Sequence, residues 1–264
     1  MVRVLILFSF AILLAPGSVA SDSCSKTGSL RQVVILPPTG GVNSADKALF
    51  KALCQRGHEV HILDYQQKSA LTSDLKIHDE LSREVLGEIN QFLKHTQKPT
   101  ILVGASLGGL YASLAFGYSF EHLESPSVEP PEFPDLLWIR AVVLSVAGGS
   151  LAEILAQSDL KPVREQRNLR FNELGLVDLN DYKGRLNSAI TYDPMKWAKP
   201  SERNRVLMFI SKNDNVVPSQ TQEKLWKAWG EPPVIRLSTN HQLSIGFVYF
   251  FLSERIDKFL RTLP

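Results

Sequence analysis

Gly104-Ala105-Ser106-Leu107-Gly108-Gly109 lies where the apolar run Pro99-Thr100-Ile101-Leu102-Val103 gives way to the helix-forming Leu110-Tyr111-Ala112-Ser113-Leu114. Gly-x-Ser-x-Gly between a strand and a helix marks a sharp turn that lifts a serine hydroxyl clear of the sheet. Glycine is needed on both flanks because the serine backbone is strained and a Cβ on either side would meet neighbouring chain. The following helix directs its unpaired first-turn amides and positive end at the same point, where a developing negative oxygen would be stabilised. Taken alone, the motif also fits a tight small-residue turn with an incidental serine, so the reading rests on what else the chain supplies.

Two further residues supply it. Arg205-Val206-Leu207-Met208-Phe209-Ile210 reads as a buried strand running into Ser211-Lys212-Asn213-Asp214-Asn215-Val216-Val217-Pro218. Asp214 thus stands at a strand mouth, placed to orient an imidazole. One strand later, Pro233-Val234-Ile235-Arg236-Leu237 ends in Ser238-Thr239-Asn240-His241, followed by an apolar helix. The order Ser106, Asp214, His241 suits a serine nucleophile, its orienting acid and its base. The end of the strand after the elbow helix holds only Ser145, Val146 and Ala147, so no carboxylate competes with Asp214 there. Among the other histidines, His58 and His61 flank a strand start. His78 and His95 fall on the outward side of a long helix, and His122 adjoins a proline-rich segment. None has metal-ligand spacing, so neither metal nor cofactor is expected.

The rest of the chain alternates strands and helices. Gln32–Leu36, Glu59–Leu63 and Trp138–Val146 read as buried strands, and Asp46–Arg56 as a helix stopped by Gly57. Asp74–His95 carries Ile77, Leu81, Val85, Ile89 and Phe92 at helical steps. This rhythm predicts an α/β fold, a mostly parallel sheet with helices on both faces, whose ligands bind beyond the carboxyl ends of the strands. Glu124–Pro134, with Pro126, Pro130, Pro131 and Pro134 among acidic residues, predicts an irregular surface loop. Ser150–Lys199 is a mostly polar helical insertion, within which Leu151, Ile154, Leu155, Leu174, Leu176, Met195 and Trp197 are candidates to line an acyl-binding cleft. The basic stretch Lys161–Arg170 reads as a solvated helix face.

On the elbow, on Asp214-Asn215-Val216-Val217-Pro218 and on this rhythm, the chain from about Val33 to Leu260 resembles small α/β-hydrolases of the esterase and lipase type. The resemblance implies an α/β-hydrolase fold with a small helical lid at about 150–199. It also implies a serine hydrolase cleaving carboxylic esters through an acyl-enzyme intermediate. Ser106 would be nucleophile, His241 base and Asp214 the orienting acid, so activity is expected to rise as the imidazole loses its proton. Many relatives carry His-Gly after their first long strand, where this chain has Pro37-Pro38-Thr39-Gly40-Gly41, and glycine where it has Asn240. The amide of Leu107 supplies one oxyanion donor. Proline has no N–H, so the second is expected from Thr39, with Gly40 next. An acyltransferase or serine peptidase would use the same three residues. A non-catalytic binding protein of this fold is the alternative from another class.

Residues 1–20 read as a signal peptide: Arg3, the apolar run Val4–Leu14, and Ser18-Val19-Ala20 before the cut. They predict an exported protein, periplasmic or secreted, with one domain over 21–264 and no stable membrane anchor after cleavage. The formal charge of +2 gives no case for nucleic acid, leaving a small-molecule or lipid ester as the expected partner. A lipid-surface role would need an exposed apolar face on 150–199. Cys24 and Cys54 are the only cysteines. They either pair, stabilising the fold by about 3–4 kcal/mol in the entropic account, or leave Cys54 as a buried thiol.

Overall fold

In the strand Gln32–Leu36 every residue is buried, with Val33 and Ile35 on one face and Val34 and Leu36 on the other. That two-sided burial is why it reads as a continuous apolar run and not as an alternating one. A computed structural model describes residues 22–24, 28–65, 67–68, 70–124 and 132–264. The expected signal peptide and most of Glu124–Pro134 lie outside the described residues. The strands are Asp22–Cys24 (β1), Gln32–Leu36 (β2), Glu59–Ile62 (β3), Thr100–Ala105 (β4), Ile139–Ser145 (β5), Val206–Ser211 (β6) and Val234–Leu237 (β7). They form one sheet in the order β1-β3-β2-β4-β5-β6-β7, parallel throughout except for β1. The expected α/β class with a mostly parallel sheet is the one found.

The helices are Ser44–Gln55 (α1), Ile77–Thr96 (α2), Leu107–Glu124 (α3), Leu151–Gln157 (α4), Lys161–Leu174 (α5), Leu179–Ala189 (α6), Pro194–Trp197 (α7), Ser219–Ala228 (α8), His241–Phe251 (α9) and Ser253–Thr262 (α10). Helices α1, α9 and α10 pack over one sheet face, and α2, α3 and α8 over the other. Helices α4–α7 form the insertion between β5 and β6. A short 3-10 turn, Pro134–Trp138, leads into β5. A disulfide between Cys24 and Cys54 fastens β1 to α1, the pairing alternative of the two open in the sequence.

Three expectations are corrected here. Arg170 in the basic stretch is fully buried, and Gln166 nearly so. Gln166 donates to the Ala70 carbonyl, and Arg170 donates to those of Thr72 and Asp74, so one row of α5 grips the loop before α2. Arg167 donates to the carbonyls of Leu155, Ala156 and Ser158, capping the end of α4. Secondly, α2 starts at Ile77 and not at Asp74, and its inward face includes His78, which receives Arg170 Nη1 on Nε2 at 3.2 Å. Thirdly, Val177 and Leu179 are the large apolar residues described as exposed within 150–199, whereas Leu243, Phe247, Phe250 and Phe251 are exposed on α9. Among the described residues, no helix is long and apolar enough to cross a membrane.

The start of α1 yields a stability test. Asn43 Oδ1 accepts from the amides of Ala45 and Asp46, while Asp46 Oδ2 accepts from the Asn43 amide at 2.9 Å. Asp46 is fully buried and its Oδ1 has no hydrogen-bond partner among the described residues. Burial, with Asp64 nearby, raises its carboxyl from 3.8 to about 6. The folded state therefore favours the protonated acid. The resulting stability is fully present below the unfolded value and is lost as pH rises through about 6. An asparagine keeps the cap and never ionises. Asp46→Asn is expected to be about 2 kcal/mol more favourable, relative to the parent, at pH 7.5 than at pH 4, where the unfolded chain is already partly ionised. Urea unfolding at the two pH values reads this directly; an equal effect at both would contradict it.

Candidate active site

The turn after β4 is tightly determined. The Ser106 amide donates to the Ser145 carbonyl at 2.9 Å, and the Ser106 carbonyl accepts from Leu110 at 3.0 Å. Between these bonds Ser106 is held at φ +52°, in the left-handed region. A Cβ on Gly104 would overlap the Gly108 carbonyl, and one on Gly108 would overlap the carbonyls of Leu36 and Pro37. The glycines are there because β2, β4 and α3 meet backbone to backbone. Gly108→Ala is accordingly expected to cost more than about 3 kcal/mol, since none of the atoms it meets is the end of a flexible side chain. Gly184→Ala, with nothing within 4 Å, is expected to be neutral or stabilising by up to about 1 kcal/mol. Thermal melts of the pair check both, and comparable losses would contradict the close-approach account.

Asp214 follows β6, and its carboxylate is saturated. Oδ1 accepts from the amides of Val216 and Val217, each at 2.9 Å, which closes the turn the sequence marks with Val-Val-Pro. Oδ2 accepts from Gln222 Nε2 at 2.9 Å and pairs with His241 Nδ1 at 2.7 Å. The other ring nitrogen, Nε2, lies 2.9 Å from Ser106 Oγ. Asp214, His241 and Ser106 are all buried, the last only 6% exposed. Three residues spread over 135 positions of sequence thus form one hydrogen-bonded chain at the carboxyl ends of β4, β6 and β7.

Asn240, where the resemblance implied glycine, has an ordinary extended backbone and serves as the N-cap of α9, its Oδ1 accepting from Leu243 at 3.0 Å. A cap replaces conformational freedom as the means of starting the helix at His241.

Around Ser106, Leu107–Gly109 are the first residues of α3, and Leu110 makes the first backbone bond back to the turn. In the loop after β2, the Gly41 amide donates to Pro38 O, and the Gly40 amide donates to Gln67 Oε1 at 2.7 Å. The Thr39 amide has no such partner among the described residues, and Thr39 lines the same cavity as Ser106 and Leu107. Gly40, the second choice from sequence, is therefore occupied.

Gln222 and Gln67 are the site residues that sequence reading missed. Gln222 is fully buried and also bonds Ser211 N and Val217 O, locking Asp214 against the end of β6. A helix opening directly after Pro218 was the available signal, because its first turn must fold back over the Asp214 turn. Gln67 ties down both sides of the Thr39 loop from a segment without periodicity, which carries no such signal.

Ser106 opens onto a cavity of about 470 Å³, walled mainly by apolar side chains, among them Leu71, Val85, Leu107, Leu110, Ile154 and Val216. Of the seven insertion residues expected to line it, Leu151, Ile154 and Leu155 do so. Leu174, Leu176, Met195 and Trp197 pack into or against the α2–α3 core instead, Trp197 with its ring against Tyr118 and Tyr192. These four positions lie outside the cavity wall, so an apolar residue there serves packing.

No protein-family model matches the chain, and no curated protein matches it in sequence. Solved structures do match in fold. Carboxyl esterase 2 from the mycorrhizal fungus Tuber melanosporum is 17% identical, with a TM-score of 0.59 over 89% of this chain and 79% of its own. Est1E from Butyrivibrio proteoclasticus is 15% identical, with a TM-score of 0.56 over 88% and 87%. The esterase domain of a Rhodothermus marinus protein is 19% identical, with a TM-score of 0.52 over 93% and 90%. The chain has the α/β-hydrolase fold. In this chain that fold brings the ends of β4, β6 and β7 to one rim, where Ser106, Asp214 and His241 meet.

Proposed function

We propose that the protein is a serine hydrolase of carboxylic esters, with Ser106 as nucleophile, His241 as general base and Asp214 as the group that orients it. The observation that carries this reading is the unbroken bonding from the Asp214 carboxylate through the His241 ring to the Ser106 hydroxyl, at the mouth of an apolar cleft. The esterases sharing the fold support the same reaction class.

In this reading Ser106 Oγ attacks the ester carbonyl carbon while His241 Nε2 takes the hydroxyl proton. Asp214 holds the Nδ1–H tautomer and stabilises the imidazolium that forms. The amides of Leu107 and Thr39 receive the oxyanion, each worth on the order of 10²–10³ in rate. His241 then returns the proton to the leaving alcohol as the C–O bond breaks. Water, activated by the same ring, releases the acid from the acyl-serine. The Cys24–Cys54 disulfide supports an oxidising, exported setting. Helices α4 and α5 act as the lid over the cleft.

Labelling by a fluorophosphonate, abolished in Ser106→Ala, tests the nucleophile and separates an enzyme from a binding protein. A series of p-nitrophenyl esters tests the cleft. Turnover is expected to extend to medium chains, and strict preference for acetate would overturn the acyl-cleft assignment.

A further inference from the structure

On α2, His78 and Ser82 are one turn apart and both line the cleft, on the same helix wall as Leu81 and Val85. His78 Nε2 accepts from Arg170 Nη1, so the ring hydrogen sits on Nδ1, which has no protein partner among the described residues. Burial and the Arg170 charge push this imidazole down to about 3, so it remains a neutral donor at working pH. Arg170 is fully buried and fixed by Thr72 O, Asp74 O and Tyr182 Oη, which leaves the ring no freedom to turn its acceptor outward. Ser82 is 2% exposed, and its hydroxyl has no protein partner among the described residues. Two hydrogen-bond donors therefore stand free on the α2 wall of the cleft, whose other polar lining, Tyr111 and Ser158 among it, comes from other elements. The charged residues at the rim, Lys68 and Glu165, are paired with Glu84 and Lys161.

Polar groups that a bound ligand covers without pairing are costly, so a cleft meant only for hydrocarbon gains nothing from donors on its wall. We propose that His78 Nδ1–H and Ser82 Oγ–H form a specificity subsite that binds a neutral acceptor oxygen partway along the substrate's acyl chain, as in an oxo-acyl ester. The proposal rests on the esterase reading for the word substrate, while the subsite itself can be read by binding alone. Selection follows from desolvation. A chain with an oxygen at the right carbon satisfies both donors, whereas a plain alkyl chain buries them unpaired. An ammonium at the same place would face two donors and the Arg170 charge.

The probes are the N-methylamides of octanoic acid and of its 4-, 5-, 6- and 7-oxo derivatives, with an amino derivative as the cationic control. Calorimetric titration of the full chain is expected to give, at one oxo position, binding about tenfold tighter than the plain amide. That advantage is expected to fall to about threefold or less in both Ser82→Ala and His78→Leu. Ser82→Ala removes a single oxygen from a helix, so it carries the test if His78→Leu does not fold. No preference at any oxo position, or a preference that survives Ser82→Ala, overturns the proposal. A chain that keeps the Ser82-dependent preference yet hydrolyses no ester retains the subsite and loses the reaction. One that hydrolyses octanoate esters without any oxo preference does the reverse.

Discussion

Ser106→Ala is expected to lower ester hydrolysis by about 10⁴–10⁶-fold, with the melting temperature almost unmoved. The loss is large because the acyl-enzyme route ends with the hydroxyl. What remains is a cleft with oxyanion donors and a histidine that has no proton to take from a nucleophile. Stability should hold because Ser106 is fixed through its backbone, by the Ser145 carbonyl and by Leu110, while among the described residues its hydroxyl bonds only His241 Nε2. Alanine at φ +52° is no worse placed than serine. Initial rates on a p-nitrophenyl butyrate substrate, with fluorophosphonate labelling in parallel, give the result. Activity within tenfold of the parent would remove the nucleophile assignment.

Asp214→Asn is expected to lower kcat by about 10⁴-fold with a much smaller change in KM, the scale seen when the same change is made in other triads. The geometry gives the reason. The asparagine oxygen can take over from Oδ1 in accepting the amides of Val216 and Val217. Its NH₂ would then face His241 Nδ1 and the Gln222 NH₂ group, both of which donate to Oδ2 in the parent. To avoid a donor facing a donor, His241 must move its hydrogen to Nε2, which then has no lone pair for the Ser106 proton. Gln222 cannot simply flip, because its oxygen accepts from Ser211 N and its amide donates to Val217 O. A stability loss of about 1–3 kcal/mol should accompany the kinetic one. Steady-state kinetics and a melt on the same preparation check both; retained kcat would show that Asp214 does not orient the ring.

The parts of this site that were legible in sequence are those whose geometry is local. Gly104, Ser106 and Gly108 announce the elbow because the turn and its close approaches lie within a few residues of a strand and a helix. Asp214 and His241 were found because each ends a recognisable strand, and parallel strands deliver their carboxyl ends to one edge. The Arg170 row was misread for the opposite reason. A run of Lys and Arg on a helix looks solvated until another segment supplies carbonyls, and the supplying loop lies about 96 residues earlier in the chain. His78 was misplaced because a polar residue on a helix reads as solvated until its partner is known, and Arg170, which bonds its Nε2, lies 92 residues later in the chain.

Sequence alone determined the alternation of strands and helices, the parallel sheet and the three residues that meet at its edge. Short-range sterics and hydrophobic period are written into consecutive residues, and chain order sets which strand ends are available. Tertiary structure alone decided which amides near Ser106 remain unbonded, how Gln222 saturates the Asp214 carboxylate, and which polar groups face the cleft unpaired. Those outcomes depend on hydrogen-bond partners brought from distant segments, and a donor's availability is a property of everything packed around it.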